Sequence, residues 1–337
     1  MSDQTNALNN SVFSSKPPIR VVVTRDVDES EHIVDAVVRS VDALVAVHGD
    51  SQRRVLPRSS LKPIQVIALV HSGAADAFDV TPQEIALAAA SHSSQVAHVE
   101  AVRSWLQRIG LDESFLECGG SRPLSPAEAD RRIAAGETFQ PIHNCCSGKH
   151  AGLLTIAQHL GVDPAGYIER EHQVQQLLTA AIETFTRVPL SGATSGIDGC
   201  GIPTYALPLE ALALSMAQLA NPERLDESHR SAAGRVVDAL VPNAFWISGS
   251  DRREVQLSDV SSERLVIKTG AEGVFMAALP DRGVGIALKA RDGATRAADL
   301  VIAAILESLG VVPSGHAVVP VANAAGTVVG TMQAHLS

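Results

Sequence analysis

Two periods run through the pattern of apolar and polar positions. Residues 20–24 form a short Val-rich run, and 35–47 form a second whose apolar spacing fits a strand pair or a helix; β-branched residues dominate it, which favours strands. Apolar runs at 265–268, 275–279 and 283–290 are separated by glycine turns, the pattern of an antiparallel meander. Val-rich strand character returns in 311–337.

Between these lies a long stretch with helical period. Pro63 is tolerable only in a first turn, so a helix is expected to begin at 60–62 and run to about His71. Thr81-Pro82-Gln83-Glu84 and Ser125-Pro126-Ala127-Glu128 read as capping boxes with proline at the first helical position. The segment 96–109 carries Val99, Val102, Trp105 and Leu106 on one side. Ser147 is expected to cap a helix that ends at Gly161. Further helices are expected at 168–187, 208–219, 228–240 and 295–309, and 191–203 reads as a glycine-rich loop. There is no internal repeat and no low-complexity linker after Lys16. The expectation is a tail over 1–19 followed by one α/β (α+β) domain over 20–337, with helices packed on a mixed or antiparallel sheet.

Composition narrows the function. The chain has 337 residues, 45% hydrophobic, a formal net charge of -10 and only 3% aromatic residues. With no long basic run and little to stack on bases, nucleic acid and anionic membrane are excluded as expected partners. No apolar run approaches the roughly 18 residues of a membrane span, and the Ser/Asn-rich start lacks the apolar segment of an export signal, so a cytoplasmic protein with reduced cysteines is expected.

Candidate chemistry collects in five places. In His143-Asn144-Cys145-Cys146-Ser147-Gly148-Lys149-His150, Cys146 and Lys149 lie three apart at a helix start and so share a face. The helix dipole favours a thiolate and disfavours an ammonium there, which suits a shared metal or a reacting substrate; a glycine-rich helix entry with two buried thiols fits the spacing too. Ser59 and Lys62 make an S-x-x-K element, in which a lysine can act as base toward a serine hydroxyl. Ser91-His92-Ser93 offers helix-end caps or a second active-site serine. The loop at 191–203 holds Asp198 and Cys200, and Lys268 faces a glycine-rich turn through Gly270, Glu272 and Gly273. On spacing alone, a Cys146–Cys200 disulfide or two inert thiols would rank above a metal site.

Taken in order, these segments resemble the rhizobial-type (class 3) L-asparaginase II family. The match runs from Glu29-Ser30-Glu31-His32 through Arg58-Ser59-Ser60-Leu61-Lys62, Ser91-His92-Ser93, Cys146-Ser147-Gly148-Lys149-His150, Asp198-Gly199-Cys200-Gly201 and Lys268-Thr269-Gly270-Ala271-Glu272-Gly273 to Asp292-Gly293 and Arg296-Ala297. The resemblance implies a fold similar to serine β-lactamases and serine glutaminases, a homodimer, and hydrolysis of L-asparagine to L-aspartate and ammonia through a serine acyl-enzyme. It implies two Ser–Lys pairs, Ser59 with Lys62 and Ser91 with Lys268. It implies substrate contacts at Arg58, His92, Asp198, Gly270 and Glu272, and zinc held by Cys146, Lys149 and Cys200. Three positions depart from the family pattern: Cys145 stands where Asn is usual, Ser94-Gln95 where Gly-Glu is usual, and Gln173 where proline is usual. The rival expectations are a serine glutaminase or other serine amidase or acylase, and a non-catalytic amino-acid or zinc-binding protein on the same scaffold.

Overall fold

The computed structural model describes residues 15–336. Its chain divides into two compact units: the first comprises the chain up to Ser60, Leu207–Asn221 and Val260 onward, the second Leu61–Ala206 and Pro222–Asp259. Most of the expected 1–19 tail lies outside the described residues. Its end is corrected: Lys16 bridges to His48 and Ile19 opens a strand, because Ile19 is a fully buried core residue.

The first unit is built on an eight-stranded sheet, antiparallel at every pairing. The order is Val318–Ala322, Val328–His335, Ile19–Arg25, Val27–Ser40, Val284–Ala290, Val274–Leu279 and Val266–Gly270, with Leu44–His48 also pairing Val27–Ser40. The ambiguous run at 35–47 is therefore the end of one strand, a turn and a second strand. The 14-residue strand Val27–Ser40 serves three partners. Val284–Ala290 takes one edge, while Ile19–Arg25 and Leu44–His48 share the other, because both edges are already occupied at Val34 and again at Ala36. The expected meander is the run of three strands from Val266 to Ala290. Leu209–Ala220 packs against it at Gly285, where a Cβ would come within 2.2 Å of the Ala213 carbonyl. Thr295–Ser308 is buried from Ala297 to Leu306 except at Asp299, and each of its Leu, Ile and Val side chains contributes about 1.5–3 kcal/mol of burial.

The second unit is helical, with one small hairpin, Ser195–Ile197 with Pro203–Tyr205, inside the expected glycine-rich loop. The Thr81 capping box forms in full and opens Pro82–Ala88, whereas at Ser125 only the serine half of the box is made. Three expectations are corrected. The helix from 60 to 71 is broken into a 3-10 turn at Arg58–Leu61 and short helices at Lys62–Gln65 and Ile67–His71, with Leu69 N–H turned to the Val66 carbonyl three residues back. The helix expected at 168–187 starts at Gln173, where the His172 ring accepts the Val174 N–H as a cap. The helix Ser147–Leu160 is preceded by Cys146 at the cap position, and its Ser147 side chain turns away to other partners. Ser147 through Ala157 are all buried in it. A Cβ at Gly148 would lie 2.4 Å from the Leu87 carbonyl, so glycine here lets this helix meet Pro82–Ala88. Among the described residues no helix is long and apolar enough to cross a membrane.

Candidate active site

The close approach at Gly148 brings together two chain segments rich in chemistry. Pro82–Ala88 runs out into Ser91, and the facing helix starts from Cys146 and carries Lys149 in its first turn. Lys62 comes from its own short helix with 1% of its surface exposed. Its Nζ donates to the Ala90 carbonyl, to Ser91 Oγ at 3.0 Å and to Cys146 Sγ at 3.1 Å. Lys149 Nζ donates to Cys200 Sγ at 2.8 Å, across from the tight turn that follows Asp198. Lys62, Ser91, Cys146, Lys149 and Cys200 thus form one buried polar cluster in the second unit.

All four cysteines are free, so the Cys146–Cys200 disulfide that spacing allowed is not formed. Hydrogen bonds from the Cys145 and Cys200 thiols hold the Cys146 thiol well below its ordinary range, with further support from the positive charge at Lys149. Cys145 and Cys200 are pushed up by their bonds to Cys146 and by burial. Burial works against the Lys149 charge, but the thiols of Cys200 and Cys146 outweigh it and raise the lysine. The donor set suits zinc: two thiol sulfurs and an amine nitrogen converge away from water. Bond lengths of about 2.0–2.3 Å at a tetrahedral ion would set a nitrogen–sulfur edge of about 3.5 Å, so Lys149 and Cys200 would open by roughly 0.7 Å to admit the ion in place of their shared proton.

The first unit gathers the other expected residues. Arg58 has left-handed backbone (φ 52°), a conformation that costs a non-glycine residue about 1 kcal/mol and turns the chain sharply ahead of half-buried Ser59. Ser60 Oγ donates to the Pro57 carbonyl at 2.7 Å and holds that turn closed. The end of Val266–Gly270 lies directly against it: a Cβ on Gly270 would come within 2.6 Å of the Pro57 carbonyl and 3.1 Å of Ser60 N. Lys268, on the same strand and fully buried, donates to the Thr269 carbonyl at 2.9 Å. Glu272 follows in the exposed turn with φ 60°. The segments 29–32, 292–293 and 296–297 meet beside this region: His32 is bonded to Asp292 at 2.5 Å and accepts from Arg296 at 2.9 Å.

His92, expected at the substrate, is fully buried with both ring nitrogens engaged. Its Nε2 donates to Ser147 Oγ at 2.9 Å, the Ser147 hydroxyl donates to the Ile142 carbonyl, and Ser94 N–H donates to Nδ1. Burial keeps the ring well below its ordinary pKa. The ring is a strut that fixes the Ser91 loop to the start of the Cys146–Lys149 helix. Asp198 is half-buried, accepts the Gly199 N–H at 2.7 Å, and adds its charge to the field at Lys149.

Two departures from the family pattern gain a structural account. Ser94 has φ 58°, which explains why glycine suits this position; its hydroxyl recovers part of the cost by donating to the His143 carbonyl at 2.5 Å. Gln95 accepts from Ser250 N–H at 3.1 Å through its amide oxygen, a bond a glutamate could make equally.

Sequence reasoning did not find the Lys62–Ser91 bond, which joins residues 29 positions apart. It did not find Asn144 either. This side chain donates to the carbonyls of Cys118 and Gly119 and accepts the Cys146 N–H at 2.9 Å, clamping the metal-type thiol in place. Its position inside the cysteine-rich stretch was the one available signal.

A sequence model of the L-asparaginase II family matches residues 21–334. A search of curated proteins returned no match. Among solved structures, the native form of Mglu shares 16% identity with a TM-score of 0.47; the match covers 84% of this chain but 65% of that one, so this chain spans less than two thirds of its length. The Bacillus subtilis glutaminase YbgJ, in covalent complex with 5-oxo-L-norleucine, shares 17% identity over 83% of this chain and 87% of that one, with a TM-score of 0.38. A β-lactamase from Mycobacterium bovis shares 14% over 82% and 94%, with a TM-score of 0.41. At this level of similarity these structures bear on neither substrate nor mechanism.

Proposed function

The chain belongs to the L-asparaginase II family, and from that premise we propose that it hydrolyses the side-chain amide of L-asparagine through a serine acyl-enzyme. Membership supports an amidohydrolase; the choice of asparagine and the assignment of roles are our reading. The observation that carries it is the fully buried Lys62, with its Nζ 3.0 Å from Ser91 Oγ. A lysine head so placed costs stability, and functional sites are where such a cost is typically kept.

In this reading Ser59 is the nucleophile. It is half-buried, while Ser91 is 4% exposed and already held by Lys62. Ser59 Oγ bonds to the amide carbon as its proton passes to Lys62, three residues on along the chain, in its neutral form, which gives up one of the three bonds that Nζ now donates. The carbon–nitrogen bond then breaks, and the nitrogen leaves as ammonia with a proton relayed through Lys62 and Ser91. Water attacks the resulting ester, gives up a proton by the same route, and releases L-aspartate and free Ser59. Lys268 supports the charge that develops on the carbonyl oxygen. The substrate α-carboxylate calls for a cation and the α-ammonium for an acid; Arg58 and Glu272, both at left-handed backbone positions of the first unit, are of the right types.

Cys146, Lys149 and Cys200 would hold zinc, which when bound supplies a fixed positive charge for orienting the substrate. Cys118, pushed up to about 12 by burial, stays a neutral core thiol.

The test is ammonia release from L-asparagine and L-glutamine, with and without added zinc, for the wild type and Ser59→Ala. The proposal expects asparagine to be the better substrate and the variant to be folded and inactive. A preference for glutamine would make the protein a glutaminase, and full activity in Ser59→Ala would remove Ser59 from the chemistry. If asparagine raises the melting temperature but no amide is turned over, the protein is a binder.

A further inference from the structure

We propose that His71, Asp226 and His229 form a second metal site, distinct from the cysteine–lysine cluster, that takes one divalent transition-metal ion on the surface of the second unit. His71 ends the short helix Ile67–His71, Asp226 caps the helix Glu227–Leu240, and His229 lies in that helix's first turn. One ligand atom from each lies within 4.8 Å of the other two. Two imidazoles and a carboxylate are a three-ligand set suited to zinc and its neighbours, with a position left for water.

The arrangement is organised around the Asp226 carboxylate. Oδ2 accepts from His229 Nδ1 at 2.7 Å. Oδ1 accepts the helix-capping His229 N–H at 3.0 Å and the Ser228 hydroxyl at 2.7 Å, and Ser228 Oγ is 3.0 Å from His71 Nε2. A metal ion in place of the His229–Asp226 proton would widen that pair to about 3.4 Å, the tetrahedral edge set by zinc–nitrogen and zinc–oxygen bonds of about 2.0–2.2 Å. The two imidazole rings stack at 4.0 Å between centroids, 20° from parallel, so their nitrogens already lie side by side. The positive end of the helix works against a cation here, and the Asp226 charge offsets it.

The site does not depend on the asparaginase reading, and its test is run without reference to activity. Zinc binding to the full-length Cys200→Ser chain would be counted by equilibrium dialysis, with and without the added changes His71→Ala and His229→Ala. Cobalt(II) added to Cys200→Ser would show visible bands of a nitrogen–oxygen site without thiolate charge-transfer absorption. The expected result is one equivalent of zinc in Cys200→Ser, lost with the cobalt bands when both histidines are removed. Equal zinc binding with and without the two histidines would overturn the proposal, as would cobalt bands that persist. Should the doubly changed chain fail to fold, His71→Gln alone serves the same comparison, since it removes one imidazole ligand at an exposed position.

Discussion

Asp35 in the first unit and the Lys62–Lys149 cluster in the second bury charge in opposite ways. In the first, Asp35 on the long central strand has no exposed surface and three partners. Arg291 grips it with two nitrogens at 2.8 and 3.0 Å, Arg53 donates at 2.5 Å, and Asp50 N–H at 3.0 Å. Burial would raise this carboxyl, but the Arg291, Asp50 and Arg53 bonds outweigh it and lower it. Its arginines keep about a third of their side chains in water. In the second unit, Lys62 and Lys149 are both fully buried, and their partners are a hydroxyl, a carbonyl and thiols. These are soft or protonatable groups, which balance charge poorly but exchange protons and bind metals well. A buried charge matched by rigid, half-solvated counter-ions serves the fold; one matched by nucleophiles serves chemistry.

Removing the lysine head breaks this contrast most forcefully. Lys62→Met should lower kcat/KM for the amide by about 10²–10⁴-fold, the usual range for a lost acid–base group, while the melting temperature holds or rises. A variant that unfolds at ordinary temperature would place Lys62 with Asp35 among structural charges. In a background of His71→Ala and His229→Ala, Cys200→Ser should remove zinc from the thiol cluster, seen by elemental analysis, and leave Lys149 without its sulfur partner. Zinc retained in that triple variant would mean that another residue completes the ligand set.

Asp35→Asn should act on stability and not on the thiol cluster, costing about 2 kcal/mol for the loss of a charged, multiply bonded acceptor whose partners are partly solvated. Its pH dependence follows from the direction of the shift. A carboxyl lowered on folding stabilises the native state above its unfolded pKa, near 3.9, and loses that contribution as pH falls through the lower folded value. The stability gap between wild type and Asp35→Asn should therefore be constant above about pH 5 and close below about pH 4. A gap that persists in acid would show that the asparagine acts through packing. The smallest effect is expected at Cys145. Its thiol is a donor to Cys146 and no assigned metal ligand, so Cys145→Asn should keep zinc and activity within about twofold, a change of only a few tenths of a kcal/mol. Loss of zinc there would move the ligand set onto Cys145.

Much of the fold was legible because its signals are local. Thr81 and Glu84 three apart, the glycine turns of the meander and Gly161 at a helix end each specify geometry within a few residues. The helix expected at 168–187 failed for the same reason in reverse: its apolar period extends back past His172, and only the ring's bond to Val174 N–H marks the true start. In the candidate site, the residue types at 59, 62, 91, 146, 149, 200 and 268 could be named because they recur as family segments. Their partners could not be named. The bonds Lys62–Ser91 and Lys149–Cys200 join positions 29 and 51 apart, separations that no local pattern reports.

The most direct test of the central claim is to catch the acyl-enzyme. Full-length protein mixed with L-asparagine, quenched in acid within the first turnovers and digested, should yield an aspartyl ester on the peptide that contains Ser59, and Lys62→Met should abolish its formation. An ester found on the Ser91 peptide, or rapid turnover with no ester on either serine, would contradict the account.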